Sequence, residues 1–339
     1  MATVQRYVDT ASAGGDGTTR NHSGGTAAYA SLSSWEANSG GSATDDYIVD
    51  CAGSSADTTG VTVDFTVNIV TGSVLIRADR AAPDNDGFYA GPDVISSSHY
   101  RLTPAANAVG ISSNEANTTY DGVQATHAPD GGFTTFAFAS TFRKLRALDT
   151  GGAGGGFGIG YNGLLSTTLV IENNLVVGYD GACIEVAITN FFTPTLSIYE
   201  NTCYGNAGSC DGIRVSSGAG SLGTTDIKGN ACANAGSNDI DTTGFQGGTL
   251  TQDDNATEDA TGQITSMVPD DAWTSPGNGA GAQFTVKNAS SVLYNAVNPT
   301  LVTTDITDFT RDGTNHDAGA FEFQAAVNPL RVVTSGMVW

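Results

Sequence analysis

Apolar positions in this chain fall in short alternating runs and almost never at helical spacing. Runs at 47–51, 61–69, 74–78, 100–102, 109–112, 123–125, 133–142, 145–148 and 157–161 are rich in β-branched and aromatic residues. Side chains along a strand alternate between two faces, so such runs predict strands with one face turned inward. Ile184 and Val186 then face the interior around an outward Glu185. Ile213 and Val215 do the same around Arg214, and Ile240 and Thr242 around Asp241.

Three consecutive segments repeat this pattern. They carry Ile171, Asn174 and Ile184; Ile198, Asn201 and Ile213; and Ile227, Asn230 and Ile240, with the register advancing by 27 (171 to 198) and then 29 residues (198 to 227). A unit this short buries its apolar edge only by stacking on copies of itself. The expected fold is therefore all-β, a parallel β-helix. Asn174, Asn201 and Asn230 would form a structural ladder at a bend, each amide bonding up and down the stack and to corner backbone groups. Two outward columns follow, Glu185–Arg214–Asp241 and Glu172–Tyr199–Lys228. Both read first as solvated faces that avoid stacking like charges.

The flanks differ from the repeats. Residues 1–45 are expected to be an N-terminal cap, with a short helix in YASLSSWEAN (29–38) started by Ser31 or Ser33, its Leu32 and Trp35 covering an open sheet edge. The solenoid is assigned to 46–323. Within it, 251–282 is polar and acidic and reads as a loop excursion around Trp273 and Pro276. Residues 324–339 form an apolar tail with Leu330, Val332, Val333, Met337 and Trp339, and Pro329 prevents one continuous helix. Such a tail either seals the last coil or adds a strand to a neighbouring subunit, and the second is preferred.

Composition narrows the function. Glycine accounts for 44 of 339 residues and charged residues for only 14%, which suits short strands joined by tight turns. Thirteen basic residues against 35 acidic ones give a formal charge of −22. That surface repels nucleic-acid phosphates and anionic membranes but tolerates cations, basic proteins and neutral glycans; it also fits salty water, where screening relieves self-repulsion. Cysteines 51, 183, 203, 210 and 232 make no CxxC pair and the four His are scattered, so neither a zinc site nor another metal or cofactor is expected. Buried thiols are expected, with a disulfide as the alternative. The glycine run at 151–156 lacks the Lys-Ser/Thr and the strand–helix setting of a phosphate loop. The opening residues lack signal-peptide character and no stretch is long enough to span a bilayer, so folding in a cytoplasm is expected.

Three pieces carry a family resemblance: the opening YVDTASAGGDGT followed by YASLSSWEA, the coils IENNLVV, IYENTCYG and IKGNACAN, and the ending RDGTNHDAGAFEF. They resemble the right-handed parallel β-helix proteins of the pectate-lyase-like group, in a bacterial and phage branch. That resemblance implies a right-handed solenoid, with lyases, hydrolases, adhesins and inert virion parts as its range of functions. Lyases of this shape use calcium-binding aspartates and a catalytic Arg or Lys on one face, and glycosidases use two or three carboxylates. The best set in this chain is Asp180, Glu185 and Asp211 with Arg214 nearby. Asp180 and Asp211 also read as plain turn residues. Tyr161, Tyr179, Phe191, Phe192 and Tyr204 are candidates for a sugar-stacking platform or for packing.

Read together, the sparse acidic set and the apolar tail lean away from catalysis. The expected function is a structural phage virion protein (a capsid decoration protein, head fibre or tail-associated spike) attached through its ends to capsid or other virion proteins, with self-association as a further option. The alternatives are a polysaccharide lyase or glycoside hydrolase acting on a host surface glycan, and a non-catalytic glycan-binding adhesin.

Overall fold

A computed structural model of the chain describes residues 1–104, 109–126, 132–135, 139–149, 156–163, 168–188, 193–208, 210–217, 223–297, 301–311 and 315–324. Parallel strands form three sheets of nine, eight and seven strands, called A, B and C here, which the chain visits in the order A, B, C once per coil. The result is a right-handed parallel β-helix, the hand that parallel crossovers take.

The stacking follows from in-register apolar columns. On sheet A the inward column runs Val49, Ile76, Tyr120, Phe142, Ile171, Ile198 and Ile227. On sheet C it runs Val61, Ile111, Phe133, Ile159, Ile184, Ile213 and Ile240. All fourteen are buried. Full burial of such a side chain stabilises by roughly 1.5–3 kcal/mol, which no single coil could supply alone.

Sheets A and B meet at a tight corner. Its first residue is left-handed in successive coils: Lys144 (φ 55), Asn173 (φ 55), Glu200 (φ 53), Gly229 (φ 66) and Asp254 (φ 52). The next position carries the amide ladder. Asn174 Nδ2 donates to Asn201 Oδ1 at 2.9 Å, Asn201 Nδ2 to Asn230 Oδ1 at 2.9 Å, and Asn230 Nδ2 to Asn255 Oδ1 at 2.9 Å. The same oxygens accept the backbone N–H of the residue below, and the same Nδ2 groups donate to Phe142, Ile171 and Ile198 carbonyls. Asn255 is a fourth rung, and its Nδ2 donates to Gln263 Oε1 at 3.1 Å.

Both ends of the stack are closed. Helix Leu32–Ala37 is capped by Ser31, whose Oγ accepts the Ser34 N–H at 3.0 Å. Its Trp35 is buried edge-on against Phe65, with ring centres 5.7 Å apart. The strands begin before this helix, because Thr3–Asp9 already pairs with Asp46–Ala52 on sheet A. At the other end Gln252 takes the place of the column isoleucine and its Nε2 donates to Thr242 Oγ1 at 3.3 Å, so the last coil presents polar groups where a further coil would stack. All five cysteines are buried free thiols, with Cys203 and Cys232 opposed on neighbouring strands. No helix among the described residues is long and apolar enough to cross a membrane.

The stretch read as a loop excursion does something else. After the last sheet B strand, Ala256–Thr257, the chain doubles back over the outer face of sheet B as a strap. Met267, Trp273, Phe284, Leu293, Val297, Ile306 and Phe321 pack with Leu148, Leu175, Val177, Ala231 and Ala256 in a second apolar core. A two-stranded antiparallel hairpin, Trp273–Ser275 with Gln283–Val286, lies in this strap. Sheet B is thereby buried on both faces, which explains why Leu175-Val-Val carries no polar alternation.

The left-handed corner residues grip the strap. Lys144 donates to Thr304 Oγ1 at 2.8 Å and pairs with Asp308; Asn173 donates to the Thr304 carbonyl. Gly229 has no side chain to interfere, so the strap approaches closely enough for its carbonyl to accept the Gly319 N–H at 2.7 Å. Glu200 meets the fully buried Arg311, whose Nε lies 2.9 Å from the Glu200 carboxylate. Arg311 also reaches Glu322 (3.2 Å), Asn173 Oδ1 (2.8 Å) and the Gly319 carbonyl (2.7 Å). Burial pushes Glu200 up to about 7, with Arg311 opposing, and burial also pushes Asp239 up to about 7.

A raised carboxyl pKa means that the folded chain keeps a proton the unfolded chain has released. Stability from that source is full below the ordinary carboxyl range and is lost as pH rises through the window that ends near 7. Relative to wild type, Glu200→Gln is expected to gain stability between pH 4.5 and 7.5, by up to about 3 kcal/mol. Urea denaturation at both pH values measures it, and a pH-independent difference would contradict the assignment.

Candidate active site

With sheet B covered by the strap, the outer faces of sheets A and C are the ones left for function. Sheet A carries a column of alternating charge running Tyr7, Asp50, Arg77, Asp121, Arg143, Glu172, Tyr199, Lys228 and Asp253. Neighbours in it satisfy one another: Arg77 Nε donates to Asp50 at 2.5 Å and Arg143 to Asp121 at 3.0 Å. The Glu172–Tyr199–Lys228 column expected from the repeats is the middle of this longer ladder. Its groups are matched in sign along the axis, which accounts for the face structurally.

Sheet C differs because its outward column is uncharged at one end and charged at the other. Thr62, Ser112, Thr134 and Gly160 are followed by Glu185, Arg214 and Asp241. The structure brings three of the four candidate residues together here. Arg214 Nε donates to Asp211 Oδ2 at 2.6 Å and its Nη1 to Glu185 Oε2 at 3.3 Å, while Nη2 reaches the Gly181 carbonyl at 3.1 Å. Asp211 is nearly buried, its side chain 4% exposed, and its other oxygen accepts the Asn238 N–H at 3.2 Å. Glu185 is 26% exposed and holds Arg214 by the longer contact. Asp180 stands apart on the preceding turn, where its carboxylate accepts from Asn206 Nδ2 at 2.6 Å. Asp241 accepts from the Thr243 N–H and hydroxyl.

These contacts assign different chemical characters to the two carboxylates. Asp211 is fixed in place by a guanidinium and a backbone N–H. Glu185 is the more accessible and less constrained of the two, and the one that something bound on this face would reach. A single guanidinium spans both, so they lie no farther apart than the roughly 5–10 Å used by paired carboxylates in glycoside hydrolysis.

Of the two readings of the aromatic candidates, platform or packing, the described ones follow packing. Tyr161 and Tyr179 point into the core, and Tyr204 packs against Trp273 and Phe284 of the strap; Phe191 and Phe192 lie outside the described residues. The aromatic that does stand on this face is Phe157. Its strand position is in register with Ala182 and, one coil on, Asp211, and its half-buried ring covers Gly160, where an added Cβ would meet it at 1.9 Å. Sequence alone did not single it out, because alternation reads a Phe two residues before the interior Ile159 as facing inward. Among the described residues no group of three or more His, Cys, Asp or Glu is arranged to hold a metal ion.

No family model matches this chain, and no curated protein matches it. Among solved structures it is similar to the crystal structure of pectate lyase Pel9A, at 13% sequence identity and a TM-score of 0.40, covering 96% of this chain and 97% of that chain. This likeness concerns the architecture of the solenoid. The expectation that leaned away from catalysis is corrected: a parallel β-helix carries enzymes as well as inert parts, so the fold gives no ground for setting enzymatic activity aside.

Proposed function

We propose that this protein acts on an extended, uncharged polysaccharide lying along the outer face of sheet C, and that it does so by carboxylate acid–base chemistry. The observation that carries the reading is the meeting of Glu185, Asp211 and Arg214 on a face free of the strap, beside Phe157. Glu185 gives a proton to the glycosidic oxygen as its bond to the anomeric carbon breaks; a water adds to that carbon and returns its proton to Glu185, Asp211 supplies fixed negative charge beside the developing positive charge, and Arg214 holds the two carboxylates in register. Phe157 offers a ring for a sugar face. The formal charge of −22 favours a neutral glycan over a polyuronate.

End-on attachment to a virion has less support. The N-terminal end is covered by its helix and the last coil turns polar at Gln252 and Thr242. The tail residues Leu330, Val332, Val333, Met337 and Trp339 lie outside the described residues.

Release of reducing ends from a panel of neutral polysaccharides tests the proposal. Wild type is expected to cleave at least one of them, and Glu185→Gln to lower that rate by about 100-fold or more with an unchanged fold. Cleavage that persists in Glu185→Gln would remove this residue from the chemistry. Absorbance of unsaturated products from polyuronates, without hydrolysis of any neutral polymer, would replace the hydrolase reading by a lyase one.

A further inference from the structure

Among the described residues a groove of mixed apolar and polar lining runs beside the strap, and it starts where the described chain stops. A hollow of about 370 Å³ lies between the hairpin and the end of the strap, lined in part by Val286, Lys287, Phe321, Phe323 and Gln324. A second, of about 330 Å³, continues on the other side of Lys287 toward Val268, Ala272 and Val292. Val268 and Val292 on its walls are 53% and 48% exposed. Tyr294, also exposed, meets Phe323 edge-on with ring centres 5.6 Å apart. Apolar surface concentrated in this way marks a binding surface.

We infer that this groove is the docking site for the chain's own C-terminal segment, residues 327–339. Three observations select that occupant. Gln324 lines the first hollow, so the segment enters the groove with almost no linker, and its local concentration there exceeds that of any second copy. Residues 325–339 reach about 50 Å when extended, enough to run through two adjoining hollows. Their pattern fits an extended chain with one apolar face: Leu330 and Val332 alternate around Arg331, and Met337 and Trp339 alternate around Val338.

Charge agrees with this choice. Arg331 is the one charged side chain of residues 325–339. The groove walls carry Asp271 and Asp305 against Lys287, with Glu322 already paired to Arg311, and the remaining negative charge suits a single guanidinium. Docking extends the strap core past Phe323 and covers Val268 and Val292. The tail is then the final layer of the strap within one molecule. This inference is independent of the glycan reading.

Paired cysteine substitution in the full chain tests it. The five native thiols are buried, so Val268→Cys combined with Met337→Cys, on the face turned to the groove, adds the accessible pair. Mild oxidation is expected to close a disulfide within the monomer in most molecules, seen as a faster-migrating band on a non-reducing gel. A disulfide-linked dimer would overturn the inference in favour of exchange between copies, and absence of any bond would overturn it outright. Hydrogen exchange gives a second reading without cysteines: amides of 330–339 should exchange at least tenfold more slowly than in the free peptide, and Val292→Asp should remove that protection. Free-peptide rates in the wild-type chain would equally defeat it.

Discussion

Arg311→Ala is expected to release the strap from sheet B and to lower stability by about 3–5 kcal/mol, the usual cost of removing one partner from a buried ion pair. The loss is large because Glu200 and Glu322 both contact Arg311 in a buried setting, and the backbone N–H groups that also reach them carry no full positive charge. The same side chain also ties Asn173 Oδ1 to the Gly319 carbonyl, so one truncation frees the left-handed corner and the strap together. Trp273 in the strap and Trp35 at the far cap are both buried, which lets fluorescence separate the two regions once Trp339 is replaced together with each of them in turn. Strap unfolding at lower denaturant than cap unfolding is the expected result in Arg311→Ala. Loss below about 1 kcal/mol, with coincident transitions, would show that apolar packing alone holds the strap.

Asn201→Ala is expected to be as damaging, at about 2–5 kcal/mol, for a different reason. Asn201 Oδ1 accepts both the Asn174 N–H (3.0 Å) and Asn174 Nδ2 (2.9 Å), and its own Nδ2 donates to the Ile171 carbonyl and Asn230 Oδ1, each at 2.9 Å. Truncation strands several buried donors and acceptors at once, each worth roughly 1–3 kcal/mol when left unpaired. Equilibrium urea denaturation measures the loss. Asn255→Ala, one coil from the end, should cost less, because Gln263 beside it belongs to the turn that closes the stack. Equal losses at 201 and 255 would argue against a ladder whose strength comes from its interior rungs.

The ladder and the inward columns were legible because stacking imposes a strict spacing on the residues that do it. Asn174, Asn201 and Asn230 sit three residues after an isoleucine in each coil, and that offset alone placed them at a corner. Asn255 obeys the same offset but follows Gln252, and the polar ending of the stack hid the fourth rung. The strap was not legible. Its residues pack on sheet B through a tertiary surface with no repeat of its own, and the acidic stretch at 251–262 made it read as a solvated loop. The signal that pointed to it was Leu175-Val-Val, an unbroken apolar run on a strand whose outer face should have been polar if exposed.

The closing motif shows the same limit. Asp317 accepts the Asn295 N–H at 2.8 Å and also the Phe323 N–H, Glu322 joins Arg311, and Ala320 donates to Thr202 Oγ1 at 2.9 Å. DAGAFEF therefore binds the side of the solenoid at the middle coils. At the candidate site, the charge column fixed Glu185 and Arg214 as neighbours before any coordinates, since both flank inward residues of one register. That Asp211 joins them while Asp180 turns to Asn206 depends on side-chain choices that spacing leaves open.

The outer face of sheet C as the glycan surface is tested most directly by a crystal structure of Glu185→Gln grown with an oligosaccharide of the polymer that wild type cleaves. Sugar density running along the column from Phe157 past Arg214 to Asp241, with a glycosidic oxygen within hydrogen-bond reach of residue 185, is the predicted result. Sugar bound on the charge ladder of sheet A, or in the strap groove beside Lys287, would contradict it.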